Sequence, residues 1–221
     1  GHLRQRPQYG GGSSMTTPSY TADLDVTLQH IEPAIRRRIR VSASDTLFDL
    51  YFTLINAMGW NDSHLHAYII DDVWYSAPFH DIEPLGIDER TITVGKALPK
   101  VGSSMTWLYD MGDNWTHTVE VVAIGEPEPD TTYPVVIGGE RACPPDDCGG
   151  VGGYMEVLDT IVDPRHRSAV FDDDGLRAWA KEVGDPDHFD LEATQKRVAD
   201  PQNRDYWSYL PPIAPDLRIV E

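Results

Sequence analysis

Residues Leu24 to Gly59 read L-D-V-T-L-Q-H-I-E-P-A-I-R-R-R-I-R-V-S-A-S-D-T-L-F-D-L-Y-F-T-L-I-N-A-M-G, and their periodicity sets the fold class. Within Tyr20 to Ile31, Leu24, Val26 and Leu28 alternate with polar neighbours, the pattern of a half-buried strand. Glu32-Pro33 signals a turn. Ile35 to Val41 alternates again as a second, paired strand, with Arg36, Arg38 and Arg40 on one face. Ser44-Asp45 supplies a helix N-cap. Leu47, Leu50, Tyr51, Leu54, Ile55 and Met58 then recur at helical spacing up to Gly59.

Further strand patterns follow on the C-terminal side. Leu65 to Ile70 is a third strand, with Val73-Trp74-Tyr75 as its hairpin partner across Asp71-Asp72. Residues 76 to 104 are loop-rich, with a short edge strand expected over Thr91 to Val94 and a helical turn near Leu98. Met105 to Tyr109 and Thr116 to Ile124 form a hairpin joined by Asp110 to Asn114, where Gly112 is free to take positive φ. A Pro-rich acidic link from Glu126 to Pro134 leads to a short strand over Tyr133 to Ile137. Residues 138 to 153 read as a Gly- and Pro-dense loop.

Three helical patterns then close the chain. They are Tyr154 to Ile161, Leu176 to Val183 opened by Asp172-Asp173-Asp174, and Asp190 to Ala199 with Leu191 and Val198 inward. Strand runs followed by helix runs indicate an α+β protein. The ββα opening with further strands fits a β-grasp-like mixed sheet with a ββαββ core, the C-terminal helices packing on it. Residues 1–14 have the Gly-Ser character of a vector-derived tag, 15–200 read as one domain, and 201–221 as an extended C-terminal arm carrying Trp207, Tyr209 and Leu210.

The chain has 221 residues and a formal net charge of −18. The acid excess is uneven. The first 120 residues hold 15 acids against 9 Lys and Arg, and the last 101 hold 21 against 9. Nucleic-acid binding draws most of its affinity from cations that neutralise phosphate, so this balance argues against a nucleic-acid partner. It argues equally against an anionic membrane surface. No apolar run reaches the ~18–20 residues needed to span a bilayer. The N-terminus lacks the ~7–15-residue apolar core of a secretory signal, which points to the cytoplasm. There Cys143 and Cys148, spaced C-x4-C, stay as thiols.

Two segments carry chemistry. In D-M-G-D-N-W-T-H, Asp110, Asp113 and His117 lie within eight residues. Two carboxylates and an imidazole suit a divalent metal or general acid–base work. The same residues also serve as turn formers, because Asp and Asn side chains accept from nearby backbone N–H groups. In C-P-P-D-D-C-G-G, Cys143, Cys148, Asp146 and Asp147 suit tetrahedral zinc only if a further ligand such as His117 joins them. Otherwise the loop is a stiff cap between sheet and helices. The Gly149 to Gly153 run lacks the Lys and Ser/Thr of a phosphate-binding P-loop. His64 and His66 flank Leu65 and would share a strand face, as metal ligands or plain surface. The aromatics Trp60, Trp74, Trp107 and Trp115 either fill the core or line a groove.

The hairpin W-L-Y-D-M-G-D-N-W-T-H-T-V-E-V, the loop G-G-E-R-A-C-P-P-D-D-C-G-G-V-G-G-Y and the opening L-Q-H-I-E-P-A-I-R-R-R-I together resemble the plasmid Ri ORF-three-like family over roughly Leu24 to Val198. Members of that family are also labelled insertion-sequence passenger or TnpR-like proteins. The resemblance implies a compact α+β fold with a β-grasp-like sheet and brings no established activity with it. The TnpR label suggests a resolvase, but a reactive Ser among arginines and a basic DNA-binding segment are not visible here.

Three functional readings follow. The first is a non-enzymatic binding domain for a protein, peptide or small molecule. Its pocket would lie between the hairpin loop and the Cys loop, formed by Asp110, Asp113, His117, Asp146 and Asp147 and walled by Trp74 and Trp115. The second is a metal-dependent hydrolase-like or transfer enzyme using Asp110, Asp113 and His117 with Cys143 or Cys148 around zinc or another divalent ion. The third is a DNA-transposition accessory, resting on the family label and the Arg36 to Arg40 strand.

Overall fold

The computed structural model describes residues 20–79, 82–201 and 210–213. Its eight strands are β1 (Thr21–Leu28), β2 (Ile35–Ser42), β3 (His66–Ile70), β4 (Val73–Ser76), β5 (Ile87–Asp88), β6 (Ser104–Tyr109), β7 (Trp115–Gly125) and β8 (Val135–Glu140). The helices are α1 (Leu47–Met58), α2 (Val94–Ala97), α3 (Gly150–Val162), α4 (Asp173–Val183) and α5 (Leu191–Ala199). One mixed sheet has the order β5-β4-β3-β6-β7-β1-β2-β8. The chain is therefore α+β.

The opening ββα behaves as its periodicity requires. Leu24, Val26 and Leu28 of β1 are buried, and so are Ile35, Ile39 and Val41 of β2. The alternate residues face outward and pair in register, Asp23 opposite Arg40 and Asp25 opposite Arg38. The arginine stripe is thus the cross-strand complement of an aspartate stripe. The Arg38 hydrogen bond, with the Arg36 charge beside it, holds the Asp25 carboxyl below its ordinary range. Helix α1 is capped by Thr46 rather than by Ser44-Asp45. The Thr46 hydroxyl accepts from Asp49 N–H, and the Asp49 carboxylate accepts from Thr46 N–H, a reciprocal box. Gly59 ends the helix in the left-handed region at φ 109°. Nine of its twelve residues are buried, because α1 lies between the sheet and α5.

The β-grasp likeness is not carried by the pairing. Both neighbours of β1 run antiparallel to it, and the parallel pair is β4 with β5 at the sheet edge. Thr91 to Val94 is not a strand. Asp88 caps a 3-10 turn at Glu89–Thr91 and Thr93 caps α2, so local side-chain caps win over strand pairing. β8 extends through Gly138 and Gly139, and at Gly139 the Phe189 ring occupies the space a Cβ would need. Helix α3 starts at Gly150, four residues before Tyr154. Leu191 is exposed while Val198 is buried, so α5 turns its C-terminal half inward. Residues 1–14, read as a tag, lie outside the described residues, as do Trp207 and Tyr209. From the expected arm, Leu210 packs against the core and the Pro211 carbonyl accepts from Arg90.

Candidate functional site

Strands β6 and β7 carry the site. Their register sets Trp107 opposite His117 and Tyr109 opposite Trp115. Trp107, Tyr109, Trp115, His117 and Val119 are all fully buried. His117 is therefore in phase with the core, and this corrects its expected place at the hairpin tip. Its ring stacks on Trp107 at 4.3 Å between centroids, and its Nδ1 lies 3.1 Å from the Trp107 carbonyl oxygen. Burial pushes its pKa down to about 3, so the imidazole is neutral and enclosed at ordinary pH.

The tip itself is an aspartate-built turn. Asp110 Oδ1 accepts from Gly112 N–H at 2.9 Å and Asp113 N–H at 3.2 Å. Positive φ falls on Asp110 and Asn114, not on Gly112, because the Asp110 side chain organises the turn. The Cys loop closes on this tip, as expected. Asp113 Oδ2 accepts from Gly149 N–H at 3.1 Å. Gly150, at φ 69°, sits where any Cβ would collide with the Asp113 carbonyl oxygen.

A third segment completes the cluster. After Gly59 the chain turns through Trp60 to His64. Trp60 buries its ring 5.6 Å from Trp115 and donates Nε1–H to the Pro144 carbonyl at 3.0 Å. Asn61 N–H donates to Asp146 Oδ2 at 2.9 Å. These contacts bring His64 beside the acids. Its Nε2 lies 2.6 Å from Asp147 Oδ1 and 3.4 Å from Asp110 Oδ2. Neither oxygen lies in line for a directed hydrogen bond. Asp146 Oδ1 is also buried without a hydrogen-bond partner. Burial raises the Asp146 pKa, with Asp147 and Asp110 adding to the rise against the Asn61 hydrogen bond and His64.

Ligand-type atoms of His64, Asp146 and Asp147 lie within 4.8 Å of one another, and so do those of Asp110, Asp113 and Asp147. Asp147 belongs to both groups. Metal–ligand bonds of ~2.0–2.6 Å place two ligands on one ion at most about 4–5 Å apart, so each group meets that limit.

The other expected site residues lie elsewhere. Trp115 is fully buried beneath the cluster. Trp74 is partly exposed on β4, opposite Ile69, which in turn pairs with Thr106 of β6, away from the tip. It is not a wall of this site. Cys143 and Cys148 are free thiols, and neither joins His117 in a ligand group among the described residues. Burial pushes the Cys148 thiol up to about 12, and that of Cys143 higher still. Both are protonated at neutral pH, whereas metal ligation uses the thiolate. His66 parts company with His64. It is buried against Tyr51, with Nε2 at 2.7 Å and 2.9 Å from the two Glu89 oxygens. The arginine stripe is likewise occupied, since Arg36, Arg38 and Arg40 pair with Asp25, Asp23, Glu128 and Glu140. Among the described residues no helix is long and apolar enough to cross a membrane.

Comparison with known proteins bears on the whole fold. A family model described as plasmid pRiA4b ORF-3-like protein matches residues 21–193. The uncharacterized protein y4hQ of Sinorhizobium fredii is 35% identical over 144 residues, covering 65% of this chain and 74% of that protein. The crystal structure of MM3350 from Methanosarcina mazei, a protein of unknown function, superposes with a TM-score of 0.67 at 27% identity. That match covers 78% of this chain and 96% of the other.

Proposed function

The chain belongs to the plasmid pRiA4b ORF-3-like family, and we propose that it is a cytoplasmic binding domain that takes a divalent cation at the hairpin tip. His64, Asp146 and Asp147 are the primary ligands, with Asp110 and Asp113 adjoining through Asp147. The observation that carries this reading is His64 Nε2, which sits against two carboxylates without a directed hydrogen bond to either. A cation between them gives that nitrogen and the buried Asp146 Oδ1 a partner at once. One imidazole among carboxylates suits zinc or manganese better than it suits a soft ion such as Cu(I). The bound ion then presents open positions to a protein, peptide or small-molecule partner at the rim.

The test is calorimetric titration of chelator-treated protein with Mn²⁺ and with Zn²⁺, repeated on Asp147→Asn and His64→Ala. Saturable binding at about one equivalent, weakened at least tenfold in both variants, supports the reading. Absence of binding by either ion, or equal affinity in the variants, overturns it.

A further inference from the structure

On the other side of the Cys loop lies a second site of opposite charge. A cleft of about 370 Å³ opens between β2, the C-terminus of α1 and α5, and its lining includes Arg37, Gly59, Cys143, Phe189 and Arg197. This volume is at the lower end of small-molecule sites, roughly 300–1,000 Å³.

Its floor is a buried cation without a carboxylate. Arg37 is only 3% exposed. It projects from β2 to the face opposite Arg36, Arg38 and Arg40. Its Nε donates to the Ala57 carbonyl at 2.9 Å, and its Nη1 to the carbonyls of Arg36, Glu140 and Arg141 at 2.7–3.1 Å. The Phe189 ring covers the guanidinium at 4.5 Å. Among the described residues no carboxylate forms an ion pair with it. Carbonyl dipoles and a ring face offset part of the desolvation cost of a full charge, but an anion offsets more.

The nearest charged wall makes matters worse. Arg197 donates to the Asn56 carbonyl at 3.1 Å and to Thr194 Oγ1 at 3.2 Å, again with no carboxylate partner among the described residues. Burial lowers the Arg37 pKa, and the like charge of Arg197 lowers it further, against the Cys143 thiol. Gly59, at φ 109°, lines the cleft between Arg197 and Cys143. A Cβ there would stand 3.7 Å from Arg197 Nη2 and 3.8 Å from Cys143 Cβ. The third arginine, Arg141, is already paired with Asp187. Glu182 and Asp190 also line the cleft and are exposed, and Asp190 caps α5.

We infer that this cleft binds a small oxyanion, a phosphate or a low-molecular-weight carboxylate, between the Arg37 and Arg197 guanidiniums. The guanidinium fork matches either group.

The whole chain is titrated with inorganic phosphate and, separately, with succinate, each at constant ionic strength set by chloride. Arg197→Gln is the variant, because it leaves the buried Arg37 in place. The expected result is that one of the two anions binds, raises the melting temperature by about 5–10 °C at a hundred times its Kd, and binds at least tenfold more weakly to Arg197→Gln. Which anion does so distinguishes a phosphate site from a carboxylate site. No binding by either anion, or binding unaltered in Arg197→Gln, overturns the inference.

Discussion

Two histidines stand at the same end of the sheet and border one aromatic cluster, yet they differ in chemical standing. His117 contacts Trp60 and Trp107, and His64 contacts Tyr109. His117 is enclosed, neutral and committed to a carbonyl. His64 is part-exposed, set among carboxylates and held by no directed bond. Folding seals the first in the core, where Nδ1 meets the Trp107 carbonyl and Nε2 has no partner, and leaves the second at the rim among acids. The lesson is that strand phase and enclosure decide which imidazole is available for chemistry, and proximity to acids in the sequence does not.

The comparison breaks first at its interior half. Trp107→Ala removes the surface on which His117, Trp60 and Tyr51 rest, and we expect a loss of about 3–5 kcal/mol, read from urea unfolding. The next effect depends on pH. With a folded pKa of about 3 against ~6.5 when unfolded, His117 binds its proton more readily in the unfolded chain. Its contribution is therefore complete above pH 6.5 and lost as pH falls toward 3. At pH 4.5 the loss is about 3 kcal/mol, and His117→Gln flattens that part of the stability profile while His64→Ala leaves it.

The rim half gives smaller and different signals. Asp147→Asn weakens cation binding at least tenfold, about 1.4 kcal/mol, while unfolding stability without the ion changes by no more than about 0.5 kcal/mol. An equal loss of stability and affinity would erase the distinction between the two regions. The smallest effect belongs to the outer stripe. Arg38→Gln, at a side chain nearly half exposed, costs under about 1 kcal/mol in unfolding experiments because water and salt screen the pair with Asp25.

Much of this was legible in residues whose neighbours in sequence are also their neighbours in space. The alternation of Leu24, Val26 and Leu28, the helical spacing of α1 and the Asp172 cap of α4 are local signals, and the elements formed where they pointed. The phase of His117 was also on the page, since it alternates with Trp115, Val119 and Val121. Its proximity to Asp110 and Asp113 outweighed that phase in the expected site. His64 was visible only as a companion to His66, because its actual partners come from loops 46 and 83 residues away. Arg37 was hidden among three outward arginines for the same reason: the carbonyls it binds at Glu140 and Arg141 are over a hundred residues on.

One further consequence comes from the outer strand β8. Its Val136 N–H is not left to solvent but is taken by Gln195 Oε1 of α5 at 2.6 Å. The opposite border of the sheet is β5, only two residues long. An open sheet of eight strands ordinarily offers its margins as templates for strand addition by another molecule. Here one margin is short and the other has a donor already bound by a helix side chain. The placement of a single glutamine thus withdraws one β8 donor from strand addition.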